Sequence, residues 1–239
     1  MSSSVNLEAQ KAGTIRLSYE GQEIDLPVCE GSEGERGIDI STLRKDTSLV
    51  TLDEGFVNTG STRSAITFLD GEQGILRYRG YPIEDLAANC DFVEVAYLLI
   101  HGELPSPQEA AAFRSGIRHH TMIHEDMRSF YNGFPRDAHP MAILSSVVGA
   151  LSTFYQDSMQ VDDPGQVEIS IYRLLAKLPT IAAYSYKKSM GQPFMYPNND
   201  LDYCENFLHM MFATPAHDHL VDPDFAEALN LLLIVHADH

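Results

Sequence analysis

Apolar and polar positions change their period near residue 80, and the change separates predicted elements of two kinds. Before it the period is two. Residues 14–19 alternate, Gly21-Gln22 turns the chain, and residues 23–28 pair back as a hairpin. A second pair, 65–69 and 74–79, is joined through Asp70-Gly71, and the glycine- and glutamate-rich residues 31–37 read as a loop. After residue 81 the spacing becomes helical. Residues 83–88 form a short helix, and Phe92, Val95, Ala96 and Leu99 make one stripe of the next, which stops before Gly102. Ser106-Pro107 opens a helix through His120. Residues 124–134 and 140–155 give two more, Asp163-Pro164 caps a long one over 165–190, and 201–212 follows. Asp222-Pro223 opens the last, an apolar run to His239 without internal glycine or proline. The reading is a mainly α fold: a β-rich N-terminal domain over 1–80 and a multi-helix large domain beginning at 81 and running to 239.

Composition narrows the partners. With 44% hydrophobic residues the 239-residue chain can bury a sizeable core, and its net charge of −18 repels nucleic acid and anionic membranes. Any nucleotide site must then be a local cationic patch. Cys29, Cys90 and Cys204 stand far apart without metal or disulfide spacing, which fits a reducing cytoplasm. No apolar run approaches a membrane span, so the expected location is cytoplasmic.

The chemistry gathers at the end of the last predicted helix. His236 and His239, at i and i+3, project from one helix face, where they serve either as a hydrogen-bonded structural pair or as two donors to a small anionic or carbonyl ligand. Two histidines are fewer ligands than zinc takes, so no metal site is expected. The predicted helix runs to the final residue uncapped, so the chain reads as a fragment. Small residues line two other helices, Ser145, Ser146, Gly149, Ala150 and Ser152 on one and Ala176, Ala182, Ala183 and Ser185 on the next. Close packing inside one subunit and a two-fold helix interface both fit them.

Several blocks carry a family resemblance: Ile75-Leu-Arg-Tyr-Arg-Gly-Tyr-Pro-Ile-Glu-Asp-Leu86, Phe92-Val-Glu-Val-Ala-Tyr-Leu-Leu-Ile-His-Gly-Glu-Leu-Pro105, His139-Pro-Met141, Arg173-Leu-Leu-Ala-Lys177, Gly191-Gln-Pro-Phe194 and His236-Ala-Asp-His239. In this order they resemble the citrate synthases, in particular the bacterial hexameric, allosteric type with an added N-terminal β domain. The resemblance implies a citrate-synthase-type helical fold and an acyltransferase that condenses acetyl-CoA with oxaloacetate and water to citrate and CoA. Its substrate is acetyl-CoA and it uses no cofactor. The resemblance implies that His239 hydrogen-bonds oxaloacetate and that His236 supports it. The family's His-Gly-Gly acid block and its later aspartate base do not occur in these residues, so no catalytic acid or base is expected within 1–239 and the fragment alone is expected to be inactive. A propionyl-CoA-using methylcitrate synthase and a non-catalytic helical interaction module are the rival readings.

The same resemblance implies an allosteric NADH site formed by Tyr155, Arg173, Lys177, Met122, Thr121, His120 and His119. Arg173 and Lys177, one turn apart, would supply charge to phosphates; the plain alternative is that they decorate a solvated helix face. Two positions depart from the family. His119 stands where an arginine is usual, with Arg118 one step earlier, and Ala216 stands where a cysteine is usual, so weakened inhibition is expected. Self-association as a dimer that builds a hexamer completes the implied picture, with neither nucleic acid nor membrane as a partner.

Overall fold

The computed structural model describes residues 10–238. Its contacts divide the chain into two compact units, Met1–Thr67 and Phe68–His239. The division falls after Thr67, and the second hairpin packs with the helices.

In the first unit β1 (Gln10–Tyr19) and β2 (Gln22–Glu30) pair antiparallel, with Tyr19 opposite Gln22. The two connecting residues, Glu20 and Gly21, both have positive φ (49° and 80°), the primed turn whose twist matches the strands. Arg16 faces Asp25 across the ladder at 3.0 Å. Residues 31–37 are not wholly loop: β3 (Arg36–Ile38) adds to β2, giving the order β1-β2-β3. Ladder hydrogen bonding from β2 overrides the loop-like composition, and Arg36 reaches Glu30 at 2.8 Å. A short helix, α1 (Leu43–Thr47), ends at Ser48 in the left-handed region.

From the unit boundary onward β4 (Thr67–Asp70), β5 (Ile75–Tyr78) and β6 (Tyr81–Pro82) form a sheet in that order. It leads into α2 (Ile83–Asn89) and α3 (Phe92–His101). Asp91 and Glu94 make a capping box at the start of α3, and Gly102 (φ 95°) stops it. The helix α4 (Pro107–Arg118) starts with the same device, Ser106 and Glu109, and ends two residues short of His120. α5 (Asp126–Tyr131) is shorter than the expected 124–134, and α6 (Pro140–Phe154) follows. After a 3-10 turn, Gln156–Met159, come α7 (Pro164–Met190), α8 (Tyr203–Phe212) and α9 (Pro223–Val235).

α7 is the beam of this unit. At 27 residues it is about 40 Å long. Ala176 joins the cluster formed with Val93, Phe113 and Ile117, while Ile181 and Tyr184 join the cluster of Met127, Tyr131, Ile143 and Val147. Pro179 interrupts it. Proline has no N–H to give the carbonyl four residues back, and the Tyr203 hydroxyl donates to that Leu175 carbonyl instead, at 2.9 Å. Burial also sorts the small residues. Ala176, Ala183 and Ser185 are buried within the chain, so on α7 they serve close packing; Ser145, Ser146 and Gly149 on α6 are exposed.

The last helix ends earlier than its sequence suggests. α9 stops at Val235, and His236 is its C-cap with φ −110°. Its terminal carbonyls are not bare. The Tyr78 hydroxyl donates to Val235 O at 3.2 Å, and His236 Nδ1 lies 2.8 Å from Leu232 O. α9 thus gives way to a turn at His236, which is not on a continuing helical face. His239 lies outside the described residues.

Candidate functional site

Tyr155, Arg173, Lys177, His120, Thr121 and Met122 come together where α7 passes the 3-10 turn and the loop after α4, and His119 stands beside them with its Nδ1 turned to its own helix. Tyr155 caps α6 and presents its ring to α7, with the Arg173 guanidinium 4.5 Å and Lys177 Nζ 5.1 Å from its centre. Arg173 grips Asp157 with two parallel bonds, Nη1 to Oδ1 at 2.9 Å and Nη2 to Oδ2 at 3.0 Å. This bond is the main cause that holds the Asp157 carboxyl below its ordinary range.

Neither cation decorates a solvated face. Lys177 is 2% exposed, and its ammonium donates to the carbonyls of His120 at 2.5 Å and Met122 at 2.7 Å. Thr180, one turn on, donates to the Thr121 carbonyl at 2.8 Å. α7 thus takes three consecutive carbonyls of the 120–122 loop and fixes its path. Burial, and secondarily the Arg173 charge, push Lys177 down to about 8. Burial also lowers His120, with Lys177, Arg173 and His119 adding to it.

Thr121 Oγ1 donates to Asn199 Oδ1 at 2.9 Å, and Asn199 Nδ2 donates to Arg118 O at 2.9 Å. Arg118, His119, Thr121, Met122 and Asn199 line an open concavity of about 420 Å³, in which Met122 is exposed. His119 Nδ1 faces its own helix, 2.6 Å from Ser115 O, whereas the Arg118 guanidinium makes a long 3.4 Å bond to Asp202. A second cavity, about 270 Å³, lies among α3, α4, α7, α8 and α9 and is lined by Cys204, Tyr203 and Asn230 among others.

Asp157, Asn199 and Thr180 were missed from sequence. Asp157 is two residues from Tyr155, a signal that was present; Asn199 and Thr180 act on loop carbonyls far away in the chain, which no local spacing reports. His236 stands apart from this cluster in its contacts, its ring turned to Leu232 O and its segment anchored where Ile234 packs with Tyr78, Leu86, Val95 and Leu98.

The fold defines a multi-helix enzyme scaffold that solved structures share. The crystal structure of citrate synthase from Pyrobaculum aerophilum superposes with a TM-score of 0.69 at 28% identity, covering 95% of this chain and 52% of that one. That of citrate synthase from Thermotoga maritima MSB8 gives 0.64 at 26% identity, over 79% and 47%. The family model described as citrate synthase, C-terminal domain, matches residues 55–239, and the chain belongs to the citrate synthase family. Citrate synthase 1 of Mycobacterium tuberculosis is 55% identical over 226 residues, 95% of this chain and 52% of the relative. Citrate synthase of Corynebacterium glutamicum is 51% identical over 223 residues, 93% and 51%. The chain thus spans about half the length of the curated relatives it matches. No helix among the described residues is long and apolar enough to cross a membrane.

Proposed function

We propose that the protein to which these residues belong condenses acetyl-CoA with oxaloacetate and water to citrate and CoA. The observation that carries the reading is 55% identity to a citrate synthase across 95% of this chain. The chemistry asks for a base that takes a proton from the acetyl methyl, a donor that stabilises the enol oxygen, and a donor that polarises the keto group under attack. In this proposal His239 makes the last contact. His236 is a positioning residue, its ring oriented by the Leu232 carbonyl at the pinned end of α9. The acid and base motifs are not among residues 1–239, so these residues alone are proposed to be inactive.

The finer assignments rest on the same footing. The cluster of Tyr155, Arg173, Lys177 and the 120–122 loop is proposed as an allosteric nucleotide site for NADH, in which Lys177 shapes the loop and Arg173 reads phosphate. The exposed small-residue face of α6 is proposed as the surface through which dimers form and build a hexamer in the cytoplasm. The test of the central reading is His239→Ala in the full chain. Loss of a donor of the oxyanion-hole kind should cost about 2–4 kcal/mol in kcat/KM for oxaloacetate, with His236→Ala costing less. Unchanged kinetics for His239→Ala would remove that residue from the site.

A further inference from the structure

Arg173 is held by α7, yet its guanidinium is not fully used. Asp157 takes Nη1 and Nη2, while Nε is buried and finds no hydrogen-bond partner among the described residues. The Tyr155 ring lies against the guanidinium at 4.5 Å, and Lys177 approaches the same ring. In a chain of net charge −18 this is a local concentration of positive charge, and the anion that sits on it is one the chain itself provides. The two partners differ in anchorage. Arg173 stands on a 27-residue helix with its side chain 16% exposed; Asp157 stands on a four-residue 3-10 turn with its side chain 43% exposed.

We propose that Asp157 is an internal stand-in for phosphate, a carboxylate that occupies the Arg173 fork and must be displaced before a phosphate-bearing ligand can bind there. This rests on the nucleotide reading above and adds the regulation of that site. The exchange makes chemical sense. A carboxylate offers the fork two oxygens and one charge, whereas a diphosphate offers at least four terminal oxygens and two charges, so that one phosphate can take Nη1 and Nη2 while its neighbour reaches the unused Nε. Opposing it is tethering: Asp157 is sixteen residues away in sequence and always present, so it competes at a high effective concentration. Phosphate ligands therefore bind weakly to the wild type, and removing the competitor strengthens them.

The test titrates inorganic pyrophosphate and NADH, by calorimetry, into the full chain as wild type, Asp157→Asn, Asp157→Ala and Arg173→Gln. Losing the competing charged pair should tighten pyrophosphate binding about tenfold in both Asp157 variants, and Arg173→Gln added to either should abolish the gain. Tighter pyrophosphate with no NADH binding to any form would support the stand-in and sink the nucleotide reading. Folded Asp157 variants that bind pyrophosphate no more tightly than wild type would overturn the stand-in itself. Should both variants fail to fold, the wild type decides: pyrophosphate must shift the Arg173 Nε–H resonance in NMR, and an unmoved resonance overturns the proposal.

Discussion

Replacing Lys177 by methionine tests the ammonium that ties α7 to the 120–122 loop. Methionine keeps most of the volume but cannot donate, so the His120 and Met122 carbonyls lose their bonds of 2.5 and 2.7 Å. Each unsatisfied buried acceptor costs about 1–3 kcal/mol. Against this, the variant no longer buries a charge. Lys177 is lowered from 10.5 to about 8, so its charged form at neutral pH is disfavoured in the fold by about 3 kcal/mol relative to the unfolded chain. The two lost bonds together cost about 2–6 kcal/mol against that relief, so Lys177→Met should change stability at pH 7 by about −1 to +3 kcal/mol, destabilising on balance. The pH dependence gives the sharper test. Between pH 8 and 10.5 the unfolded chain holds the Lys177 proton that the fold has released, so this group raises wild-type stability with pH at about 1.4 kcal/mol per unit, and the variant lacks that rise. Urea denaturation followed by circular dichroism at pH 7, 8, 9 and 10 should show the gap between wild type and variant widening above pH 8. A gap that stays constant or narrows would refute the claim that this ammonium is desolvated.

The proline in α7 gives a double-mutant test. Tyr203→Phe should destabilise by about 1–2 kcal/mol because the Leu175 carbonyl loses its hydroxyl donor, and the cost should shrink in a Pro179→Ala background, where residue 179 regains an N–H for that carbonyl; equal costs in both backgrounds would deny the link. On α6, Gly149 has open space where a side chain would go, so Gly149→Phe should leave the subunit folded while light scattering of the full chain reports a smaller assembly. An unchanged mass would take that face out of the interface.

Local signals carried much of the fold. Ser106-Pro107, Asp163-Pro164 and Asp222-Pro223 mark the starts of α4, α7 and α9 because a capping side chain and a preset φ act within one turn. Gly21 likewise marks the first hairpin, although the turn falls at Glu20-Gly21 and not at Gly21-Gln22. What was not legible depends on partners far along the chain. The end of α9 at Val235 is met by the Tyr78 hydroxyl, 157 residues earlier, and a helical pattern has no knowledge of it. The same holds at the site. The four-residue spacing places Arg173 and Lys177 on one face, but only the loop carbonyls and Asp157 reveal that one is a buried strut and the other an occupied fork. β3 escaped because glycine- and glutamate-rich composition hides an edge strand that needs β2 to exist.

The most direct measurement is citrate formation by a chimera that joins residues 1–239 to the second half of citrate synthase 1 of Mycobacterium tuberculosis, with each half also assayed alone. Residues that share 55% identity with that relative should pack against its second half and complete the oxaloacetate site proposed at His236 and His239. The chimera is predicted to release CoA and form citrate from acetyl-CoA and oxaloacetate, while residues 1–239 alone form none. A folded chimera that forms no citrate, or residues 1–239 alone forming it, would contradict the account.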